Sequence, residues 1–307
     1  GLRTGMQGAR TLLAGFLLMI AWGVGDGLNV TIGLPAAYER LRPWLSVISI
    51  GAPTLAMSVA LSRRFADTLD ELDRTYVAAT RFVPVAFLDL LGRGTVTEVQ
   101  RGDSVALDMT VMFCDIRDFT TLSEARTAEA NFRFINAFLA AMEPCIQGHG
   151  GFVGQYLGDG FLALFPAGAS EPVAAGVSMQ AALQAFNREQ VEEGEMAIRV
   201  GIGLHSGRVM LGTIGGRERL DANVVSDVVN TASRVEGLSK LYGAPLVASE
   251  AALRLAGREA WETCELDAVI VKGRARPLSV FEVLAGEPDA ERRARKRAEA
   301  GAYAAAL

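Results

Sequence analysis

Residues 150 to 165 read GGFVGQYLGDGFLALF, two strand-like runs folded about Gly158, Asp159 and Gly160. A turn that tight joins antiparallel neighbours, and a lone hairpin is marginal in water, so further strands must extend it into a sheet. The stretch therefore commits this part of the chain to an antiparallel sheet with an acid at one hairpin tip. Upstream, DMTVMFCDI (residues 108 to 116) reads as another apolar strand ending at a second acid, Asp115, with Asp118 three residues on. A carboxylate in apolar surroundings is costly unless something compensates its charge. If these strands are neighbours, Asp115 and Asp159 converge, with room for hard, oxygen-liganded cations such as Mg²⁺. Either acid alone is more often a turn or cap residue than a ligand.

The remainder, to about residue 284, alternates helix and strand patterns. Phe132, Ile135, Leu139, Met142 and Ile146 form one apolar helix face, and a second helix is expected from about 171 to 192. AIRVGIGLH alternates as a half-buried strand, RVMLGTIG reads as another, and SDVVNTASRVEGLSKLYG as a third helix closed by Gly243. Two last strands flank VKGRARP. The order predicts an α+β sheet with helices on one face. Phe119 and Thr120 lead into a helix whose first N–H groups could face an anion such as a triphosphate; an ordinary cap by Thr121 or Ser123 is the alternative. Asn230 and Arg234, four apart, share a helix face and offer an orienting amide and a fixed cation, or simply a surface pair.

DMTVMFCDIRDFTTLSE, GGFVGQYLGDGFLALFP, GIGLHSGRVMLGTIG, VVSDVVNTASRVEGLSKLYG and VKGRARPLSVFEV follow one another as in the class III nucleotidyl cyclases, which the chain resembles over about residues 83 to 284. Through RFVPVAFLDLLG and its hydrophobic start it is also similar to bacterial membrane-anchored adenylate cyclases whose catalytic domain follows a seven-helix signalling module. The resemblance implies a ferredoxin-like βαββαβ core over residues 101 to 285. It also implies that Asp115 and Asp159, with the Ile116 carbonyl, hold two Mg²⁺ or Mn²⁺ per site. It assigns Asn230 to the ribose, Arg234 to the α-phosphate transition state, Lys272 to the terminal phosphates, and Phe119 and Thr120 to the triphosphate loop. Asp118 has no counterpart and reads as a surface or capping acid. The implied reaction turns ATP into 3',5'-cyclic AMP and pyrophosphate in sites shared across a homodimer.

The base-reading positions depart from that pattern. Gln155 and Asn223 stand where a lysine and a threonine or aspartate would read adenine. An amide presents both a donor and an acceptor, so GTP is an alternative substrate, and a catalytically weak nucleotide-binding signalling module is a further alternative. A diguanylate cyclase is set aside because LGDGF has no Glu after its Asp.

Ahead of this region, residues 44 to 62 carry no charge across nineteen positions, a helix of about 28 Å. Residues 11 to 28 form a weaker crossing, or a signal-peptide core. Arg3, Arg10, Arg63 and Arg64 flank the pair, which predicts a transmembrane helical hairpin over residues 1 to 62 with both ends cytoplasmic. Two buried helices of a soluble core would be the alternative. The expected location is the inner membrane, multi-pass, with lipid as a partner. Residues 63 to 100 read as a helical linker in which Phe65, Leu69, Leu72 and Tyr76 make a short heptad seam or pack on their own domain. The charged tail, residues 286 to 307, reads as a solvated face that could touch anionic lipid. A start at Gly1 suggests a piece of a longer protein. A net charge of -5 and the lack of any nucleic-acid motif argue against a nucleic-acid partner. Cys114, Cys145 and Cys264 read as reduced packing residues.

Overall fold

The structure is a computed structural model that describes residues 13, 15–17, 19–28, 31, 36–80, 83–124, 126–168, 171–216, 219–269 and 277–306. It divides into two compact units, Gly1–Arg81 and Phe82–Leu307.

The first unit is helical. Its main element, α1 (Ala36–Thr80), runs for 45 residues without a stop at Arg63 and Arg64. Arg42 of α1 pairs with Asp26 of the preceding helical stretch at 2.6 Å. Among the described residues no helix is long and apolar enough to cross a membrane, so the expected transmembrane hairpin finds no support here. Part of that expectation, including Arg3 and Arg10, lies outside the described residues. The seam residues Phe65, Leu69, Leu72 and Tyr76 are all exposed on α1.

The second unit is a mixed α+β fold on an open sheet. Pro84 opens α2 (Val85–Leu90), which buries Phe87 and Leu88. Then come β1 (Ser104–Ile116), α3 (Phe119–Glu124), α4 (Ala128–Gln147), β2 (Phe152–Leu157), β3 (Gly160–Pro166), α5 (Pro172–Glu192) and β4 (Val200–Gly215). They are followed by β5 (Leu220–Val225), α6 (Asp227–Tyr242), β6 (Leu246–Ser249), α7 (Glu250–Leu255), β7 (Thr263–Val269), β8 (Leu278–Val283) and α8 (Ala290–Ala306). The strand order is β2-β3-β1-β4-β6-β8-β7, with β5 paired on β4. β1 lies antiparallel between β3 and β4, with β2 antiparallel outside β3.

Three features correct the sequence reading. β4 is one strand of 16 residues, not two: it pairs with β1 from Ile116↔Val200 to Ser104↔Gly212, and the Ser206-Gly207 step that resembles a break stays in register. A Cβ on Gly207 would stand 2.7 Å from Val228, so the glycine makes room for α6 instead of a turn. Helices cover both faces of the sheet. Met112, Cys114 and Ile116 of β1 pack with Phe138, Met142, Met179 and Leu183 of α4 and α5, whereas Met109 and Val111 pack with Phe87, Val228 and Ala232 of α2 and α6. The tail is not wholly solvated either. Lys296 of α8 reaches the buried carboxylates of Glu282 and Glu287 at 2.7 and 2.9 Å. The three cysteines are free, Cys114 buried and Cys145 and Cys264 half-buried.

Glycine placement explains how closely α6 approaches. Gly201 and Gly203, two apart on β4, share a face with Gly207. A side chain at Gly203 would overlap the α6 backbone at Glu236, and one at Gly201 would overlap Arg117 and Ser239. The GIGLHSG pattern thus lets helix backbone lie on strand backbone beside the end of β1.

Candidate active site

Alternation along β1 sends Cys114 and Ile116 into the α4–α5 core and leaves Asp115, at the strand end, on the α6 face. Across β3 the register pairs Cys114 with Phe161, which puts Gly160 beside Asp115. A Cβ on Gly160 would strike the Cys114 carbonyl and stand 3.1 Å from Asp115 Oδ1, so only glycine lets the hairpin close there. Gly158 takes the left-handed conformation, φ +74°, that turns the chain, and Asp159 between the two glycines is brought to Asp115. Burial, then the neighbouring charges of Asp159 and Glu236, push the Asp115 carboxyl up to about 6, although Arg117 and Lys240 act in the other direction.

That is the electrostatic setting a divalent cation would relieve. The donor set fits a hard ion: two carboxylates at a strand end, next to the backbone of Ile116. No group of three or more His, Cys, Asp or Glu side chains suited to a metal occurs among the described residues.

Sequence reasoning did not anticipate what braces this acid. Arg117, two residues after Asp115, pairs with Glu236 of α6 at 2.8 Å and donates to Ser239, all on side chains largely out of water. Its backbone N–H donates to the Arg199 carbonyl at 2.8 Å. The signal was present as a cation inside FCDIRDF, but its partner lies 119 residues away and no local pattern links them. Asp118 adopts φ +57° and sits 3.5 Å from both Arg199 and Lys240 at the surface, as a surface acid should.

α3 starts at Phe119 and is only six residues long. Phe119 stacks on Phe134 at 6.5 Å, while Thr120 is exposed and its carbonyl accepts from Ser123. Asn230 and Arg234 lie on the outer side of α6, whose inner side buries Val228, Thr231, Ala232, Val235 and Ser239. Asn230 precedes Glu236 by six residues, about 9 Å along the axis, and is turned outward. Within one chain, then, Asn230 is not gathered to the acid pair. Gln155 of β2 and Asn223 of β5 are brought together: both line one cleft with Phe87, Leu162 and Leu211. The Asn223 side-chain oxygen accepts the Val224 N–H at 2.8 Å, which leaves its NH₂ as the group to offer a ligand. Lys272 lies outside the described residues.

Comparison with known proteins places this geometry. The profile of the adenylate and guanylate cyclase catalytic domain matches residues 101–283, over half of the chain. The chain belongs to this cyclase family. An adenylate cyclase of Anabaena cylindrica is 38% identical over 236 residues, 75% of this chain and 46% of that protein. The cyclase chain thus spans about half the length of that relative. The crystal structure of the guanylyl cyclase Cya2 matches at 30% identity and a TM-score of 0.53, covering 61% of this chain and 97% of that one. A bacterial light-regulated adenylyl cyclase, 20% identical with a TM-score of 0.64 over 77% of this chain and 68% of that one, shares the fold. Adenylate and guanylyl cyclases thus both stand among the neighbours of this cyclase.

Proposed function

We propose that the protein is an adenylate cyclase that converts ATP to 3',5'-cyclic AMP and pyrophosphate in sites shared by two copies of the chain. The observation that carries this reading is the acid pair: Asp115, pushed up to about 6 beside Asp159 at the open end of β1, calls for a cation. Asp115, Asp159 and the Ile116 carbonyl would hold two divalent ions, Mg²⁺ or Mn²⁺. When bound, such ions supply Lewis-acid polarisation of phosphoryl oxygens and lower the pKa of a coordinated hydroxyl.

The chain's own residues do the rest. Arg117, tied to Glu236 and Ser239, fixes the end of β1 so that Asp115 keeps its place without a further ligand. Phe119, Thr120 and the backbone that opens α3 would lie along the triphosphate. Arg234, exposed on the second copy, would meet negative charge that grows on the α-phosphate, and Asn230, one turn earlier, would orient the ribose. Lys272 would grip the terminal phosphates. The outward aim of Asn230 and Arg234, against the inward bracing of the acids, is what favours a homodimer with shared sites.

A second reading, guanylate cyclase, has its own support. Asn223 presents a donor because its oxygen is held by Val224, and that donor suits either adenine N1 or guanine O6. Gln155 is exposed and its amide can turn to complement either base. We retain ATP as the preferred substrate on the strength of the 38% identical adenylate cyclase. Incubating the full chain with Mn²⁺ and each nucleoside triphosphate tests both readings, and a complete lack of 3',5'-cyclic product would eliminate them.

We also propose that the first unit associates with the inner membrane and leaves the catalytic unit in the cytoplasm. Exposed Trp44, Val47, Ile48, Leu55 and Leu61 on α1 and the charge-free run of residues 44 to 62 support this. Recovery of the protein wholly in the soluble fraction after expression and carbonate washing would reject it.

A further inference from the structure

A surface cleft of about 280 Å³ opens between the start of α4 and the end of α5, with Phe134 of the Phe119–Phe134 stack in its wall. Its apolar floor is one helix face: Ala130, Phe134 and Ala137 recur at helical spacing, with Arg133 beside them. Gln190, Glu193 and Glu195 form the other wall. That volume lies just below the range of about 300–1,000 Å³ usual for small-molecule sites, so it suits only a small ligand.

Arg126 sets the chemistry. Its side chain is only 9% exposed, with the guanidinium 4.2 Å over the Phe134 ring and two of its nitrogens, Nε and Nη2, donating to Glu195. The third nitrogen, Nη1, is buried and has no hydrogen-bond partner among the described residues. A buried cationic donor without an acceptor costs about 1–3 kcal/mol or more, and folded proteins rarely leave one unmatched. Arg133 adds an exposed cation with no ion pair among the described residues. The first turn of α4, capped by Thr127, adds the positive end of a 20-residue helix.

We infer that this cleft binds a small organic anion, a carboxylate or a phosphate monoester with an apolar body, whose oxygen accepts from Arg126 Nη1. Arg133 neutralises the rest of the headgroup, the apolar body lies on Phe134 and its flanking alanines, and Gln190 meets a polar substituent. Nothing in this binding depends on the cyclase reading. The Phe134 ring touches Phe119, the first residue of α3, so an occupant would also steady the segment that follows Asp115. That consequence, a lower KM for nucleotide at unchanged kcat, does rest on the cyclase reading.

The test uses the full chain without nucleotide. Thermal-shift and calorimetric titrations with sodium benzoate and sodium phosphate are run against sodium chloride at equal ionic strength. The expected result is saturable binding at one site per chain by at least one probe. Arg133→Glu, on an exposed side chain, should keep the wild-type melting temperature and weaken that binding about tenfold or more, the loss of one charge-assisted contact. Arg126→Lys should weaken it too, whereas Arg234→Ala should leave it intact. Benzoate saturating first points to a carboxylate ligand, phosphate first to a phosphoryl one. The inference is overturned if neither probe binds beyond chloride, if Arg133→Glu leaves the binding intact, or if Arg234→Ala abolishes it.

Discussion

Asp115 and Asn230 belong to the same proposed reaction but stand in opposite surroundings. The acid is half-buried, braced by Arg117 and Glu236 on one side and by Gly160 on the other, and it repels Asp159. The amide rides the outer face of α6 with Arg234 and leaves the inner face to Val235 and Ser239. One half of the site is assembled within a single chain, and the other lies on its exposed face. A fold that needed both halves in one chain would turn them toward each other, so the asymmetry argues for completion by a second copy.

The largest effect should come from the braced half. Asp115→Asn removes a carboxylate ligand outright, so cyclase activity should fall by about 10³-fold or more, beyond the 10- to 100-fold typical of outer contacts. The same change should raise the melting temperature of the metal-free protein at pH 7.5 by about 2–4 °C. The sign follows from the carboxyl: its folded value of about 6 lies above its ordinary 3.8, so the stability it contributes is complete below 3.8 and lost as pH rises through about 6. A neutral amide avoids that loss. Activity and stability must move in opposite directions for the account to hold.

Arg234→Ala probes the displayed half. It should lower kcat by about 10²–10³-fold, as loss of a donor to developing charge does. A melting temperature that drops by several degrees would mean that Arg234 supports the fold of its own chain.

Much of this was legible in the sequence, and the limits have physical causes. The acid pair could be read because Asp115 closes a long apolar strand and Asp159 sits in the glycine-flanked turn that opens another, and such strands announce themselves by composition. The short strands β5 and β6 could not: LDANVV and LVAS are too brief to show a period, and only pairing with β4, and for β6 also with β8, makes them strands. Gly207 looked like a break because glycine marks turns as often as close approaches, and the packing of Val228 alone decides between them. The Arg117–Glu236 pair joins residues far apart in the chain, so nothing local foretold it. By contrast Gln155 and Asn223, named from the motifs, do line one cleft.

Two smaller effects sharpen the comparison. Protons compete with cations for Asp115, so Mn²⁺ affinity measured between pH 5 and 8 should be flat above about 7 and fall about tenfold per unit below 6. A flat profile throughout would place the cation elsewhere. Gln155→Lys replaces an amide that can turn with a group that only donates. The ratio of kcat/KM for ATP over GTP should rise about tenfold, with little change in melting temperature, and an unchanged ratio would remove Gln155 from base recognition.

The shared site itself is tested most directly by mixing. Asp115→Ala and Arg234→Ala chains, each inactive alone, are unfolded, combined in equal amounts and refolded, with mixed dimers verified by differential tags. Half of the dimers then carry one intact site of two, so activity should return to about a quarter of the wild-type level. Activity that stays at background in verified mixed dimers would contradict a site built from two copies.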